Sequence, residues 1–372
     1  MSQPHVIIVG AGVIGCACAY ELASAGARVS VFDVRRVGLG ASQASAGVLA
    51  PFIEGHDSGP LLELGQRSLE LYDHFAQRVT AASGLTFQYT RSGTLEVALS
   101  ADEASRLQQT SATLNARGVE TAWLDRPALL EKEPLVAPDA HGALFIGAHG
   151  MVGVPDFTDA MASAAMRAGA TLALETRVVS IDRAADGQVA VETQNGTSLA
   201  DGVILAAGTW SGQVPVAGAD SIDVKPIRGQ LLHLSWQTAQ PLRHVLWSAH
   251  GYIVPWLNGR VLVGATAEDV GFEERATAQG VAGLLNAGCE LVPQLWQASF
   301  TEVRVGLRPA SPDGLPVIGP SSVVPGLVYA TGHYRNGVLL APLTAALVRN
   351  LVLGAADDSA LTLVSPKRIG RL

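Results

Sequence analysis

The spacing of hydrophobic and polar positions changes several times along the chain, and each change marks an element. Residues 5–9, HVIIV, form a short unbroken apolar run, the pattern of a strand covered on both faces. GAGVIG follows at once, and CACAYELASAG then repeats apolar residues at helical spacing until Gly26. RVSVFD is a second strand. A strand, a glycine-rich turn, a helix and a strand within about thirty residues make a β-α-β unit. The next stretch, GLGASQASAGVLAP, is built of small residues and has no clear period.

Residues 61–80 predict an amphipathic helix. From 86 to 149 the pattern is mixed, with a strand-like LEVAL, a helix from Asp102 to Arg117 and proline-punctuated loops. Residues 155–168 open on Pro155 and stop before Gly169, the marks of a helix with a defined start and end. Short strands follow at RVVSID, QVAVET and GVILAAG, and the Asn195-Gly196 turn is expected to join the last two. Alternating strands dominate 221–309. YIVPW and RVLVGAT flank LNG as a hairpin, and Pro255 predicts an edge strand or a bulge there. A strand at LVYATG and a helix from Gly337 to Leu353 close the chain.

VILAAGTWS (203–211) and LVYATGHYR (327–335) are both apolar strands that end at a glycine, Gly208 and Gly332. Ligands of doubly wound sheets sit at the carboxyl ends of strands. Two more such strands, far downstream of the first, imply a cofactor domain assembled from separated pieces with a second domain inserted between them.

Composition narrows the function. At 48% hydrophobic and 16% charged residues the 372-residue chain is not disordered. Its formal charge is −8, it has three lysines (Lys132, Lys225, Lys367), and no basic run exceeds two residues. Nucleic acid and polybasic membrane attachment are therefore not expected. The mean hydropathy of +0.27 raises the question of a membrane span. Val6–Tyr20 holds three glycines and Val338–Val348 runs into Arg349, so neither reaches the ~20 apolar residues that a span needs. The N-terminus does not read as a signal peptide. Cys16, Cys18 and Cys289 are odd in number and are expected to be reduced, buried thiols of a cytoplasmic protein. The histidines show no metal-binding spacing, so no metal is expected, and no motif suggests hydrolysis.

Gly10, Gly12 and Gly15 form GxGxxG between a strand and a helix. The first permits a tight turn, the second lets backbone approach a pyrophosphate, and the third allows close helix–strand packing. The helix N-terminus offers N–H groups and partial positive charge to phosphates. Asp33 ends the second strand, where an acid can bind a ribose hydroxyl and disfavours a 2′-phosphate. FAD and NAD both satisfy these marks.

GLGASQASAGVLAP, RGQLL (228–232), GLRPASPDGLPVIG (306–319) and GHYRNGVLLAP (332–342) resemble the D-amino-acid oxidase superfamily of FAD enzymes, and within it the glycine oxidase branch of thiazole biosynthesis. The resemblance runs in order over nearly the whole chain. It implies FAD contacts at Val13, Ile14, Asp33, Val34, Ala41, Ser42, Ala46, Gly47, Val48 and Val178, and at His333, Tyr334, Arg335, Asn336, Gly337, Val338 and Leu339. No cysteine follows Cys289, so the covalent flavin thiol of sarcosine oxidases has no counterpart and FAD is expected to be non-covalent. A helix starting near Gly337 suits a flavin, which gains negative charge on reduction.

An amino-acid substrate presents a carboxylate, for which a guanidinium is the natural fork. Arg308 and Arg335 are the candidates. In VRVGLRP, alternation puts Arg304, Gly306 and Arg308 on one face. The resemblance adds Tyr252, for the same carboxylate, and His250, near the amine. It also exposes a departure: fifteen residues after Tyr252, where some glycine oxidases carry a pocket methionine, the residue is Ala267.

The expected fold is α/β, an FAD-binding Rossmann-like domain (1–80, 150–220 and 310–372) with an inserted, mostly antiparallel substrate-binding α+β domain (81–149 and 221–309). The expected reaction is FAD-dependent oxidative deamination of glycine, small amines or D-amino acids. Hydride passes from Cα to flavin N5, giving an imine, then glyoxylate or a 2-oxo acid with ammonia, and hydrogen peroxide from oxygen. No protein base is strictly required once the amine is neutral. The alternatives are a D-amino-acid or D-hydroxyproline dehydrogenase with another electron acceptor, or an NAD-binding dehydrogenase or nucleotide sensor. Homo-oligomerisation stays open.

Overall fold

The computed structural model describes residues 3–54, 59–256, 259–355 and 358–372. Two large sheets organise it. The first has six strands in the order Val317–Pro320, Leu327–Thr331, Gly202–Leu205, His5–Val9, Arg28–Phe32 and Thr171–Ala173. Every neighbouring pair is parallel except the first. His5–Val9 is central and covered on both faces, which is why it reads as an unbroken apolar run. Val6 and Ile8 pack with the helices Val13–Ser24, Pro60–Ser83, Val154–Arg167 and Gly337–Leu353. Ile7 and Val9 pack on the other side, against a three-stranded antiparallel sheet of Val178–Arg183, Val189–Thr193 and Gly196–Ala200.

This small sheet corrects one expectation. The Asn195-Gly196 turn joins Val189–Thr193 to Gly196–Ala200, not to GVILAAG. A separate strand lies between them, and Gly202–Leu205 enters the parallel sheet beside His5–Val9. The run GTSLA did not advertise itself as a strand because it faces solvent for most of its length, its leucine included.

The helix Val13–Ser24 is buried nearly all round, Cys16 and Cys18 included. Burial pushes both thiols well above the ordinary cysteine range. The helix Gly337–Leu353 tolerates Pro342 in its interior. A proline there cannot donate to the carbonyl four residues back. The carbonyl concerned is that of Val338, and it accepts instead from the Tyr72 hydroxyl at 2.9 Å, supplied by the long helix Pro60–Ser83.

The second large sheet has eight strands in the order Ser299–Ala310, Lys225–Ser235, Arg260–Gly264, Tyr252–Trp256, Val245–Trp247, Thr94–Ala98, Gly142–Ile146 and Thr121–Asp125. All its pairs are antiparallel but one, Val245–Trp247 with Thr94–Ala98. The helix Ala278–Leu291 packs under one face through Leu284 and Leu291. Pro255 lies on an interior strand, contrary to the edge reading. Its neighbour Val245–Trp247 is short and pairs only with Tyr252 and Ile253, so the ladder on that side has ended before Pro255. Residues 257 and 258 of the expected hairpin turn fall outside the described residues, but the strands on either side pair as a hairpin should.

Candidate active site

A cavity of about 610 Å³ opens at the carboxyl ends of the parallel strands and runs to the upper face of the eight-stranded sheet. The glycine turn forms its floor. Gly10 has φ +113° and donates its N–H to Phe32 O at 2.8 Å, so the turn folds back onto the second strand. Gly15 lies beneath the turn: a Cβ there would sit 1.9 Å from Gly10 O. The helix Val13–Ser24 starts without a side-chain cap on Gly12. Of the first N–H groups, which no helical carbonyl can satisfy, Val13's is taken by Ser42 Oγ at 3.0 Å. The Asp33 carboxylate is fixed by two backbone donors, Ala11 N–H at 2.7 Å and Arg35 N–H at 2.8 Å.

The second wall comes from the end of the chain. Tyr334 adopts φ +47° and donates its N–H to Pro309 O at 2.8 Å. That bond fastens the turn carrying Arg335 to the residue next to Arg308. The helix Gly337–Leu353 then begins, again without a side-chain cap. His333 beside it is buried and shares a 3.0 Å hydrogen bond between Nε2 and Thr344 Oγ1. Burial lowers its pKa to about 3. His333 is therefore neutral at ordinary pH and adds no charge to this wall, where the helix end contributes partial positive charge beside Arg335.

The roof is the eight-stranded sheet, and its glycines shape it. Gly229 pairs with Gly306 across adjacent strands. The Arg308 guanidinium lies over Gly229, where a Cβ would stand 2.4 Å from Nη2. Arg308 Nη1 donates to Thr266 O at 2.8 Å and more weakly to Arg228 O at 3.4 Å. Neither partner is a carboxylate, and among the described residues no carboxylate pairs with Arg308. Arg304, on the same face, is engaged by Glu302 and Gln43 O. Tyr252 lies in the same way over Gly264, whose Cβ would stand 2.6 Å from the ring. It packs on Trp247 with ring centroids 4.7 Å apart.

Of the cofactor-side residues expected from sequence, all but Gly15 and Gly332 line this one cavity, and Arg308, Arg335, Tyr252 and Ala267 line it too. Gly15 and Gly332 stand behind its wall, where Gly332, at φ +72°, turns the chain from strand to helix. His250 is elsewhere. Its side chain is 61% exposed and its Nδ1 lies 2.7 Å from Glu290 Oε2, in a shallow depression with Trp296. The cause is a turn: Ser248 N–H bonds to Gly251 O at 2.8 Å, so strand alternation starts at Tyr252 and does not reach back to His250. The hydrogen bond that the ring donates to the Glu290 carboxylate raises the His250 pKa.

Sequence reasoning missed several lining residues. Trp247 and Thr266 carried no motif. Arg35 and Trp210 meet only in the fold, with the guanidinium 4.4 Å from the indole centroid. Thr209 also lines the cavity, and its Oγ1 is buried without a hydrogen-bond partner. A buried hydroxyl left so is costly unless a ligand completes it.

Two uncapped helix ends, an acid held by backbone, a run of small residues and an unpartnered hydroxyl suit a long, polar dinucleotide with a flat ring system at its far end. These features fit FAD. Among the described residues no cluster of histidine, cysteine and carboxylate side chains could hold a metal.

Comparisons with known proteins agree. The chain is 36% identical over 349 residues to a glycine oxidase of Geobacillus kaustophilus (strain HTA426), covering 93% of this chain and 92% of that one. It is 34% identical over 363 residues to the bifunctional protein ThiO/ThiG of Nostoc sp. (strain PCC 7120 / SAG 25.82 / UTEX 2576), covering 96% of this chain but only 54% of the relative. The crystal structure of glycine oxidase from Geobacillus kaustophilus superposes with a TM-score of 0.91 at 35% identity over 98% of both chains. The family model described as DAO, FAD dependent oxidoreductase, matches residues 5–351, and with the fold and the cavity above it places this chain in that family.

Proposed function

We propose that the protein is an amine oxidase that deaminates glycine or a comparably small amino acid, with Arg308 as the grip on the substrate carboxylate. The observation that carries this is the Arg308 guanidinium, anchored by two backbone carbonyls and facing the cavity, with no carboxylate among the described residues bound to it. Bound FAD would accept hydride from the substrate Cα and pass the electrons to oxygen, giving hydrogen peroxide. The residues around it do the rest. Gly10, Gly12 and the helix start at Val13 would hold the pyrophosphate, and Asp33 a ribose hydroxyl. The helix start at Gly337 would favour negative charge on the ring system. Arg308, with Tyr252 and Arg335, would fix the carboxylate so that Cα lies against the ring. Positioning is the main contribution, because a neutral amine needs no protein base. The imine is released to water, giving glyoxylate or a 2-oxo acid with ammonia.

The similarity to ThiO/ThiG supports a role in supplying thiazole formation, although the chain spans about half of that relative's length. The two-sheet architecture supports our division into a cofactor unit (1–80, 150–220, 310–372) and a substrate unit (81–149, 221–309). Among the described residues no helix is long and apolar enough to cross a membrane. The free, buried cysteines support a cytoplasmic setting.

The test is an anaerobic titration of the purified yellow protein with glycine, sarcosine and D-alanine. Bleaching by glycine is the expected result, and colour retained with every amine would end the reading. Peroxide release against dye reduction separates an oxidase from a dehydrogenase.

Two substitutions probe the roof. Gly229→Ala places a methyl where the guanidinium lies, and the obstructing atoms are the far end of a flexible side chain. The strand stays and the arginine moves, so we expect full flavin content with a KM for glycine raised roughly ten-fold or more, about one charge-assisted hydrogen bond. Ala267 lines the cavity where a longer side chain would narrow it. Ala267→Met is expected to lower kcat/KM for D-alanine and sarcosine at least roughly ten-fold relative to glycine. Equal losses on all three substrates would show that position 267 does not meet the Cα substituent.

A further inference from the structure

The two carbonyls that anchor Arg308 belong to Thr266 and Arg228. Both residues are held from behind by a single carboxylate. Glu268 Oε1 accepts from the Thr266 hydroxyl at 2.6 Å and from Gln230 Nε2 at 2.7 Å. Glu268 Oε2 accepts from Arg228 Nη2 at 2.5 Å. The backbones are tied as well: Arg228 N–H donates to Glu268 O at 2.9 Å, and Glu268 N–H donates to Arg228 O at 3.0 Å.

Gln230 completes the arrangement. Its side chain is buried, donates also to Thr277 Oγ1 at 3.0 Å, and accepts from Thr277 N–H at 2.8 Å. Gly280 makes this arrangement fit, since a Cβ there would stand 2.4 Å from the Gln230 amide nitrogen. Arg228 is only 3% exposed, so its charge requires a partner. Glu273 offers a weaker second contact at 3.4 Å.

Two consequences follow. The negative charge of Glu268 is committed to Arg228, and Arg308 is left for a ligand. The segment 265–268 also lies beyond the last strand residue, Gly264, and is held there by a single backbone bridge between Glu268 and Arg228, so the side-chain bonds to Glu268 act beside that bridge in setting where the Thr266 carbonyl points. The Arg228 hydrogen bond holds the Glu268 carboxyl down at about 2, so the arrangement is charged at every working pH.

We propose that Glu268 is a positioning residue: through Thr266 and Arg228 it sets the guanidinium of Arg308 against the cavity. The inference rests on the reading of Arg308 as the carboxylate grip. It also makes a prediction opposite in sign to that of simple electrostatics. Removing a negative charge near a carboxylate site should tighten carboxylate binding if charge alone matters. Removing a positioning group should loosen it.

The experiment titrates the flavin-loaded protein with acetate, a carboxylate with no amine to oxidise, and follows the flavin absorbance. For Glu268→Gln we expect acetate binding to weaken roughly ten-fold and the KM for glycine to rise in step, while kcat stays within about three-fold. Thr266→Val keeps both charges and the backbone carbonyl but removes the hydroxyl that Glu268 holds. It should weaken acetate in the same direction, whereas a charge effect leaves it unchanged. It also decides the matter if Glu268→Gln fails to retain flavin. Unchanged or tighter acetate binding in these variants overturns the proposal. Arg308→Ala separates the two readings. If it does not weaken acetate, the grip itself is misassigned; if it does and Glu268→Gln does not, only the role of Glu268 falls.

Discussion

Arg308→Ala is expected to lower kcat/KM for glycine by roughly two to four powers of ten. A carboxylate held by two charge-assisted hydrogen bonds loses ~1.5–3 kcal/mol with each, and about 1.4 kcal/mol is a factor of ten. The loss should fall on kcat as well as on KM, because a substrate without its grip no longer presents Cα to the ring in one orientation. Arg308→Lys should recover little of it. An ammonium is a point charge that cannot hold Thr266 O and a carboxylate in one plane as a guanidinium does. Cofactor content should be unaffected, since Arg308 sits on the eight-stranded sheet and the glycine turn lies on the parallel one. Steady-state kinetics of peroxide release, with flavin content measured on the same preparation, checks all four points. A variant with near-normal kcat/KM would remove Arg308 from the site.

What was legible in the sequence divides along a physical line. Elements set by local pattern could be read. The first β-α-β unit and the helix Gly337–Leu353 appear where apolar spacing and glycine punctuation put them. The glycine turn and the place of Asp33 at the end of the second strand were legible because that glycine spacing between a strand and a helix dictates a tight turn. Arg308 was legible as an arginine on the glycine-bearing face of a strand. Its anchors were not, because Thr266 and Arg228 come from other parts of the chain and offer only carbonyls, which any residue could supply. The same holds for Trp210 and Arg35, which meet across 175 positions. His250 marks the opposite failure. It was taken on resemblance alone, and the local turn at Ser248–Gly251 carries its ring outward to Glu290. Gly196–Ala200 went unseen because a five-residue strand that faces solvent for most of its length, with its leucine exposed, shows no apolar alternation. Pro255 misled because an edge was inferred from the residue, while the open side comes from the shortness of the neighbouring strand.

Gly10→Ala is expected to abolish flavin binding and to destabilise the fold. Two independent terms act on that methyl. The backbone at position 10 has φ +113°, a conformation that side chains resist at about 1–3 kcal/mol. The new Cβ would also stand 2.4 Å from Ala206 O and 2.8 Å from Ala206 C. These are backbone atoms at the end of the neighbouring parallel strand, where Ala206 N–H bonds to Val9 O at 2.8 Å, so no rotamer change relieves the contact. Relief requires the two central strands to part, which adds a further ~1–3 kcal/mol. The parting falls at the floor of the cavity, where Gly10 N–H holds the turn to Phe32 O and Asp33 takes the N–H of Ala11. Displacing the turn therefore disturbs the proposed pyrophosphate and ribose positions together. The purified variant should be colourless, with an FAD dissociation constant raised at least about a hundred-fold, the effect of ~3 kcal/mol. Its denaturant midpoint should lie well below that of the native protein stripped of flavin, because the strain is present with or without the cofactor. A yellow variant with an unchanged midpoint would mean that the backbone at Gly10 accommodates a side chain, and that the close approach of the two strands is not what shapes the floor of this cavity.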